Sequence, residues 1–464
     1  MEGSASRLTR AQLDGVRLAL EAAISDHINA HADGPRQRTE EWLALKDGIV
    51  GGSELATIMG LNPYSSREKL LARKIKLDAW SSPGIACWWG TMFEPVSERL
   101  VELECGTRVV GTDIHITNSD IIKYHGNSPD GYCVLLLERV GNEWQIACDP
   151  TQALDEGRDL VHLAALIELK APYRRLLKGQ VPKYYVPQIW SGLLLAPAMS
   201  IGLYAEMVYR LCSLDQLGPT PDYSIEYHGG DKRTLRKNGG APIWEKPLGW
   251  GITAVYAPLL GTRAARGGRD RGRCPNSGSE PMGLPSEQSD ADLVCYRTLC
   301  RTIGHQLKEA DFGHQVLDLG EVANESASAF DQVVGLIDKG ELVVRHSEPV
   351  LLSGCGASSE ALEAFHVDAA SSAPRFHYLF GLIPWKVQQV DYHLIPPQED
   401  FAAEIQPPLT EFMDDVRALR EADDRAEAFR AHCAQRSRAP TIAERREKSS
   451  ITDAQFSDVF SMVS

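Results

Sequence analysis

The spacing of apolar and polar residues predicts a chain built from both helices and strands. Residues 8–31 and 88–104 carry apolar residues at helical intervals, and the second of these segments has one clearly apolar face. Short alternating runs between residues 107 and 149 predict β-strands. The uncharged run 189–205 is interrupted by Pro197 and is barely long enough to span a membrane, so it predicts a buried helix followed by a core strand.

The pattern weakens in the second half of the chain and then returns. Residues 229–290 are rich in Gly, Pro, Ser and Arg, a composition that buries little apolar surface and predicts a flexible loop or linker. Residues 377–395 alternate like strands, and residues 397–422 predict a helix with an acidic start. Five arginines of the flexible stretch either bind DNA phosphates or, as we favour, only keep a loop soluble. They are Arg263, Arg266, Arg269, Arg271 and Arg273.

One predicted strand carries two charges among apolar neighbours. In "ALIELKAPY", residues 165–173, Glu168 and Lys170 are two positions apart, so a strand points both side chains to the same face. Burying a carboxylate and an ammonium beside apolar residues costs free energy unless they are paired or bind a ligand. The stretch therefore predicts either an ion pair on a half-exposed edge strand or part of a charged site.

Composition and charge describe a soluble globular protein. The 464 residues are 43% hydrophobic and 24% charged, and the chain is long enough for more than one domain. A net charge of −15 argues against general attraction to nucleic acid but does not exclude a local basic channel. The ten cysteines include no Cys-x-x-Cys pair, and no secretory signal is apparent. We therefore expect an intracellular protein with reduced thiols and no membrane span, in either the nucleus or the cytoplasm.

Three carboxylates and one lysine are the strongest candidates for chemistry. Glu94 lies on a predicted helix, Asp130 in the turn-like Ser-Pro-Asp-Gly, and Glu168 and Lys170 on the strand. Carboxylates that converge in a partly dry site repel one another, and a divalent cation removes that repulsion. Oxygen ligands without histidine or thiolate favour Mg²⁺ or Mn²⁺ over zinc, and Mg²⁺ held by few carboxylates favours a phosphodiester substrate.

Each candidate also has a purely structural interpretation. Asp130 precedes a glycine and fits an ordinary turn, whereas Glu94 fits the wet edge of an amphipathic helix. Gln188, on the next predicted helix, fits a surface position. Taken one at a time, the residues do not decide between structure and chemistry.

Their order along the chain resembles the PD-(D/E)xK nuclease superfamily. The closer resemblance is to the phage lambda exonuclease branch, the YqaJ-type viral recombinases related to viral alkaline exonucleases. That branch has an aromatic-Gly-x-x-aromatic-Glu helix, Ser-Pro-Asp-Gly, Glu-Leu-Lys-x-Pro and a Tyr-x-x-Gln helix in this order. The matching blocks are "WGTMFE", "SPDG", "ELKAP" and "YVPQ", at residues 89–94, 128–131, 168–172 and 185–188. An upstream stretch matches at Trp42, Lys46, Gly48 and Ser53.

The resemblance implies metal ligands and a catalytic lysine. Asp130, Glu168 and the carbonyl of Leu169 would ligate Mg²⁺, for which Mn²⁺ could substitute. Glu94 would serve a second metal ion or its waters. Lys170 would hold the nucleophilic water and neutralise charge on the phosphate.

The resemblance also implies residues that orient the site and bind the DNA end. Gln188 would orient the site from its helix, and Lys46 and Ser53 would bind the 5′-terminal phosphate. Ser53 follows two glycines at a predicted helix start, where free N–H groups attract anions, although a plain N-cap is the alternative. Lys46 stands where the family commonly has arginine, so a bidentate contact becomes a point charge and selectivity for a 5′-phosphate is expected to weaken. Trp42 is expected to lie in the core.

The resemblance further implies the fold and the domain organisation. We expect a restriction-endonuclease-like α/β (α+β) core, in which helices flank a central mixed β-sheet. Its last strand and closing helix match residues 384–420, so we predict that an insertion splits the nuclease core. The predicted parts are an N-terminal helical segment, the first part of the core, the insertion, the second part of the core, and a C-terminal helix with a polar tail. They span residues 1–37, 38–212, 213–374, 375–422 and 423–464.

The leading functional hypothesis is a Mg²⁺-dependent exonuclease that resects double-stranded DNA ends 5′ to 3′ for recombination or repair. Its partner would be a single-strand annealing protein, and a homo-oligomer is left open because only some relatives form rings. The first alternative is a structure-selective or restriction-like endonuclease. The second is a non-catalytic DNA-binding or assembly subunit, which the costly charged cluster disfavours. A glycosidase is disfavoured by Lys170 and by the poverty of clustered aromatics around it.

Overall fold

The computed structural model describes residues 9–35, 39–78, 84–141, 143–147, 150–219, 247–258, 290–306 and 316–436. Among these residues, no helix combines the length and the apolar character needed to cross a membrane.

The described chain contains a large mixed β-sheet and a separate two-stranded sheet. The small parallel sheet joins β1 (Val50–Gly51) and β2 (His125–Gly126). The nine strands of the large sheet, in chain order, are β3 (Gly131–Val140), β4 (Glu143–Ile146), β5 (Leu160–Lys170), β6 (Ile201–Leu211), β7 (Gly249–Pro258), β8 (Leu317–Asp318), β9 (Val343–His346), β10 (Val350–Leu351) and β11 (His377–Ile395).

The large sheet is antiparallel except at two pairings. Its main path runs β10, β7, β11, β6, β5, β3, β4, while β8 pairs with β11 and β9 with β7. Strands β5 and β6 are parallel and are connected by a helix, as a parallel pair requires. The other parallel pairing joins β11 and β8. The predicted fold class, a central mixed sheet flanked by helices, is therefore confirmed.

Helices cover both faces of this sheet. Those of the described residues are α1 (Arg10–Ala30), α2 (Glu40–Gly48), α3 (Gly52–Ile58), α4 (Arg67–Lys74), α5 (Ile85–Glu104), α6 (Pro150–Asp155), α7 (Val186–Leu195), α8 (Asp290–Thr302), α9 (Leu319–Glu325), α10 (Ala327–Asp338), α11 (Ser359–Asp368), α12 (Phe401–Glu421) and α13 (Arg425–Arg436).

Helix α5 packs on one face of the sheet through the apolar stripe that its spacing predicts. Trp89 and Phe93 are fully buried, and the Phe93 ring stacks on Tyr209 of β6 with ring centroids 4.2 Å apart. The same apolar cluster includes Trp385 of β11. This packing fixes the position of α5 against the sheet and hence of the carboxylates on its exposed edge.

Helices α7 and α12 pack on the opposite face. The predicted buried helix and core strand of residues 189–205 are confirmed as α7 and β6. Helix α7 comes very close to β5, because a Cβ on Gly192 would lie only 2.5 Å from Leu166 Cδ1. A glycine is needed at this contact, and the close approach brings the start of α7 to the end of β5.

The second half of the chain extends the same sheet. Strand β7 lies between β10 and β11 and is almost entirely buried, so the prediction of a flexible segment over residues 229–290 is wrong for residues 249–258. An apolar strand with neighbours on both sides can bury surface that the glycine- and arginine-rich sequence around it cannot. The five arginines from Arg263 to Arg273 lie outside the described residues. The division into five predicted parts stays a prediction.

Candidate active site

Strand pairing brings Asp130 beside the charged end of β5. Asp130 precedes β3, whose first residue, Gly131, pairs with Ile167 of the antiparallel strand β5. The Asp130 amide donates to the Ile167 carbonyl at 3.2 Å, and Asp130 Oδ2 accepts a hydrogen bond from the Leu169 amide at 2.7 Å. Asp130 is thus held against the strand that carries Glu168, although the two residues are 38 positions apart in the sequence.

The Lys170 ammonium lies where the three predicted metal-binding oxygens converge. Lys170 Nζ donates a short hydrogen bond to Glu168 Oε1 and a second one, of 2.9 Å, to the Leu169 carbonyl oxygen. It also lies 3.8 Å from Asp130 Oδ2. The three oxygens therefore surround a cation in this structure, and the ammonium is a stand-in for a metal ion at this point.

The cluster opens to solvent on one side. The Glu168 side chain is 1% exposed, whereas those of Lys170 and Asp130 are 23% and 20% exposed. Burial raises the pKa of Glu168 to about 8, against the lowering effect of Lys170. Burial by itself would lower the pKa of Lys170, but the negative charges of Glu168 and Asp130 outweigh it, so the pKa is raised. A substrate can reach the cluster only past Asp130 and Lys170, with Glu168 at its base.

Gln188 fixes the second oxygen of Glu168. It is the third residue of α7, and its Nε2 donates to Glu168 Oε2 at 2.8 Å. The side-chain amide of Asn127 in turn donates to the Gln188 carbonyl and to Ser191 Oγ, both at 2.8 Å. The start of α7 is thereby tied to the segment that leads into Asp130.

Helix α5 brings two carboxylates to the cluster, and the sequence prediction included only one of them. Glu94 lies close enough to Glu168 for its charge to contribute to the raised pKa there. Glu98, four residues later on the same helix face, has a pKa raised to about 8 by burial and then by the charges of Glu94 and Asp130. The i, i+4 spacing from Glu94 was the signal that could have identified Glu98.

Glu94 and Glu98 do not complete a set of three side-chain ligands. In the part of the chain that the structure describes, no three His, Cys, Asp or Glu side chains are arranged to hold one metal ion. Two carboxylates and a main-chain carbonyl still suit Mg²⁺, which usually keeps several waters and takes the rest of its ligands from a phosphate substrate. The donor set therefore fits this ion without a third carboxylate.

Lys46 lies in a pocket beside the cluster. Its Nζ is 4.2 Å from the ring centroid of Trp42, and Trp42 Nε1 donates to Ser128 Oγ at 3.4 Å. The same hydroxyl is 2.7 Å from His115 Nδ1, and Ser128 is two residues before Asp130. Burial lowers the pKa of Lys46, partly offset by Glu54. Trp42 is only half-buried, so its expected place in the core is wrong: its ring covers the lysine instead.

Ser53 lies close to this pocket but does not cap a helix. The N-cap of α3 is Gly51, whose amide donates to Glu54 Oε2 at 2.8 Å, and Ser53 is the second helical residue with an exposed side chain. A Cβ on Gly51 would lie 3.3 Å from Lys46 Nζ, so Lys46 reaches the start of the same short helix. The alternative of a plain N-cap at Ser53 is therefore wrong.

The surroundings of Lys170 are richer in aromatic rings than the sequence predicts. Lys170 Nζ lies 5.2 Å from the centroid of Tyr185, which contacts the rings of Tyr184 and Tyr204. Tyr64, from the loop between α3 and α4, adds a further ring against Tyr184. The expected poverty of clustered aromatics is therefore wrong, because the cluster is assembled from separate segments.

A comparison with protein families covers the segment that carries these side chains. Residues 41–197 match the family model of the YqaJ-like viral recombinase domain. These residues form a YqaJ-like viral recombinase domain. Every residue predicted for the site lies inside the domain, whereas α1 and strands β6 to β11 lie outside it.

Curated relatives of the chain extend beyond the YqaJ-like domain. The chain is 40% identical over 233 residues to a protein of African swine fever virus (isolate Tick/South Africa/Pretoriuskop Pr4/1996), a match that covers 50% of this chain and 64% of that protein. It is 38% identical over 238 residues to the protein of the same name from the Badajoz 1971 Vero-adapted strain, with 51% and 65% covered. The chain thus matches less than two thirds of the length of either relative.

Two solved structures also resemble part of the chain. One is the crystal structure of an alkaline exonuclease (LHK-Exo) from Laribacter hongkongensis, with 21% identity and a TM-score of 0.25 over 37% of this chain and 74% of that one. The other is LHK-Exo in complex with dAMP, with 22% identity, the same coverage and the same TM-score.

Proposed function

We propose that this chain is a Mg²⁺-dependent deoxyribonuclease that removes nucleotides from double-stranded DNA ends in the 5′-to-3′ direction. The observation that carries the proposal is the convergence of Asp130 Oδ2, Glu168 Oε1 and the Leu169 carbonyl on one cation. The YqaJ-like domain supports an exonuclease acting on DNA. The single-stranded tail left by such digestion would be the substrate of an annealing protein.

Asp130, Glu168 and the Leu169 carbonyl would hold Mg²⁺, or Mn²⁺ in its place. When bound, the ion would lower the pKa of a coordinated water and neutralise charge on the scissile phosphate. Glu168 must lose its proton to bind the ion, and burial holds that proton up to a pH of about 8. Metal binding is therefore expected to release a proton and to tighten as the pH rises.

The other residues would orient the reacting groups. Lys170 stays positively charged because its pKa is raised, so its ammonium would donate hydrogen bonds to the attacking water and the phosphate. Gln188 would keep the Glu168 carboxylate in one orientation through its 2.8 Å hydrogen bond. Glu94 and Glu98 would add negative charge on the α5 side and bind waters of the metal.

The 5′-to-3′ direction rests on the pocket around Lys46. An ammonium beside the cluster, next to the start of α3 and the exposed Ser53, is suited to a terminal phosphate. Lys46→Ala should abolish the preference for 5′-phosphorylated over 5′-hydroxyl DNA ends while cleavage continues. The preference is measured as the ratio of initial rates on the two substrates, and an unchanged ratio would remove Lys46 and the direction from the proposal.

Cleavage is tested on linear and closed circular duplex DNA, with Mg²⁺ or with EDTA. We expect wild-type protein to degrade only the linear DNA and only with Mg²⁺, and Glu168→Ala and Lys170→Ala to be inactive. Lys76→Ala is the matched control, because this lysine is 68% exposed and pairs with Asp47 on the surface. Cutting of circular DNA would favour the endonuclease, and binding without cutting would favour the non-catalytic subunit. Full activity of both site variants would refute the mechanism.

A further inference from the structure

The most exposed tyrosine near the candidate site is held in an ordered loop. Tyr64 is 72% exposed, and it lies between α3 and α4. Its amide donates to Asn62 Oδ1 at 2.9 Å, and Asn62 Nδ2 donates to Thr57 Oγ1 at 2.8 Å. The Leu61 and Asn62 amides both donate to the carbonyl of Ala56. The loop is thus anchored to the end of α3, and it presents an apolar ring to water at a cost in free energy.

Ring contacts connect Tyr64 to the charged cluster. Tyr64 meets Tyr184 edge to face, with centroids 5.6 Å apart and planes at 88°. The Tyr184 and Tyr185 centroids are 4.4 Å apart, and the Lys170 ammonium is 5.2 Å from the Tyr185 centroid. A continuous row of aromatic rings therefore leads from the solvent to the catalytic lysine.

The segment that carries two of these rings is basic in an acidic protein. Residues 171–186 contain four basic residues and no acidic one, although the chain as a whole has a net charge of −15. The four are Arg174, Arg175, Lys178 and Lys183. Arg175 is ion-paired with the buried Glu206, whereas Arg174 and Lys183 are exposed. Positive charge beside exposed rings is the combination that binds single-stranded nucleic acid, through phosphates and bases respectively.

We propose that Tyr64 and Tyr184 form a stacking site for an unpaired base of the DNA strand being cleaved. The proposal rests on the nuclease function above and adds the binding of a nucleobase to it. To place a terminal phosphate in the cluster, the enzyme must separate the last bases of the duplex from their partners. Stacking on Tyr64 compensates for the stacking that such a base loses, and it is independent of sequence because every base has an aromatic face.

The stacking site is tested with full-length protein and tailed duplex DNA. The DNA carries 2-aminopurine at successive positions near the 5′ end, and Ca²⁺ replaces Mg²⁺ to slow cleavage. We expect Tyr64→Ala to weaken binding by about tenfold and to relieve quenching of 2-aminopurine at one position. Tyr64→Phe keeps the ring and should behave like wild type. The control is Phe376→Ala, which removes an exposed ring about 50 Å along β11 from Asp391, in the line of paired residues that includes Glu206 and Lys170.

The possible failures of the two proposals differ. Wild-type protein that neither binds nor cuts DNA would contradict the nuclease function itself. Wild-type cleavage, with Tyr64→Ala unchanged in affinity and in 2-aminopurine fluorescence, would overturn only the stacking site. A change in oligomeric state of Tyr64→Ala in light scattering, with unchanged base fluorescence, would assign Tyr64 to a protein interface and also overturn it.

Discussion

Replacing Lys74 by methionine tests how the structure holds the pocket of Lys46 in place. Lys74 is only 4% exposed, and its ammonium donates to the carbonyls of Lys46 and Ile49, both at 2.7 Å. It also forms an ion pair of 2.9 Å with Glu54 Oε2, the same oxygen that accepts from the Gly51 amide. One buried ammonium therefore joins the end of α2 to the start of α3.

The expected loss of stability follows from burial. Methionine fills nearly the same volume, so the substitution leaves no large cavity and removes mainly the charge and its hydrogen bonds. Removing one partner of a buried ion pair costs about 3–5 kcal/mol, because the remaining charge is left unpaired. Lys76→Met is the matched control. Its ammonium is 68% exposed and lies 2.9 Å from Asp47, so its loss should cost about 0–1 kcal/mol.

The assay combines urea unfolding, followed by circular dichroism, with the ratio of cleavage rates on 5′-phosphorylated and 5′-hydroxyl ends. Lys74→Met should lower the free energy of unfolding and reduce that ratio, because α2 carries Lys46. Adding Glu54→Gln should restore part of the stability, since the remaining carboxylate is then neutral and its oxygen still accepts from Gly51. The reasoning is refuted if Lys74→Met loses no more stability than Lys76→Met, or if the double variant is no more stable than Lys74→Met.

Three further predictions concern the cluster and its support. Burial raises the pKa of Glu98 from 4.5 to about 8, so the folded state retains a proton between these values and metal-free protein should lose stability as the pH rises through this range. Glu98→Gln should flatten the dependence of Tm on pH in EDTA, and an unchanged slope would contradict the assignment. The pKa of Glu168 is likewise raised to about 8, so calorimetry should show Mg²⁺ binding that tightens up to this pH and releases a proton; pH-independent binding would argue against Glu168 as a ligand. Gly192→Ala places a Cβ 2.5 Å from Leu166 Cδ1 and should destabilise the fold by about 1–3 kcal/mol. Gly90→Ala, where a Cβ meets nothing within 4 Å, should not be destabilising in the same unfolding assay, and equal losses would refute the packing argument.

Much of the charged cluster could be predicted from local spacing. Glu168 and Lys170 share a face because successive residues of a strand alternate, and Phe93 is buried because α5 has a helical apolar stripe. The order of short blocks along the chain led to Asp130 and Gln188, which the structure brings to Glu168 and its neighbours. These features depend on residues a few positions apart, and the geometry of a strand or helix relates such residues directly.

Other features depend on which surfaces meet across long stretches of chain. Glu98 belongs to the cluster only because α5 lies with that edge toward Asp130, and Tyr64 reaches Tyr184 only because α3 packs on α7. Strand β7 is buried because it finds partners in β10 and β11, although its flanking sequence predicts a flexible loop. The sequence alone therefore determined which side chains share a face. The tertiary structure decided which faces meet, because pairing between distant segments depends on the packing of the whole sheet and its helices.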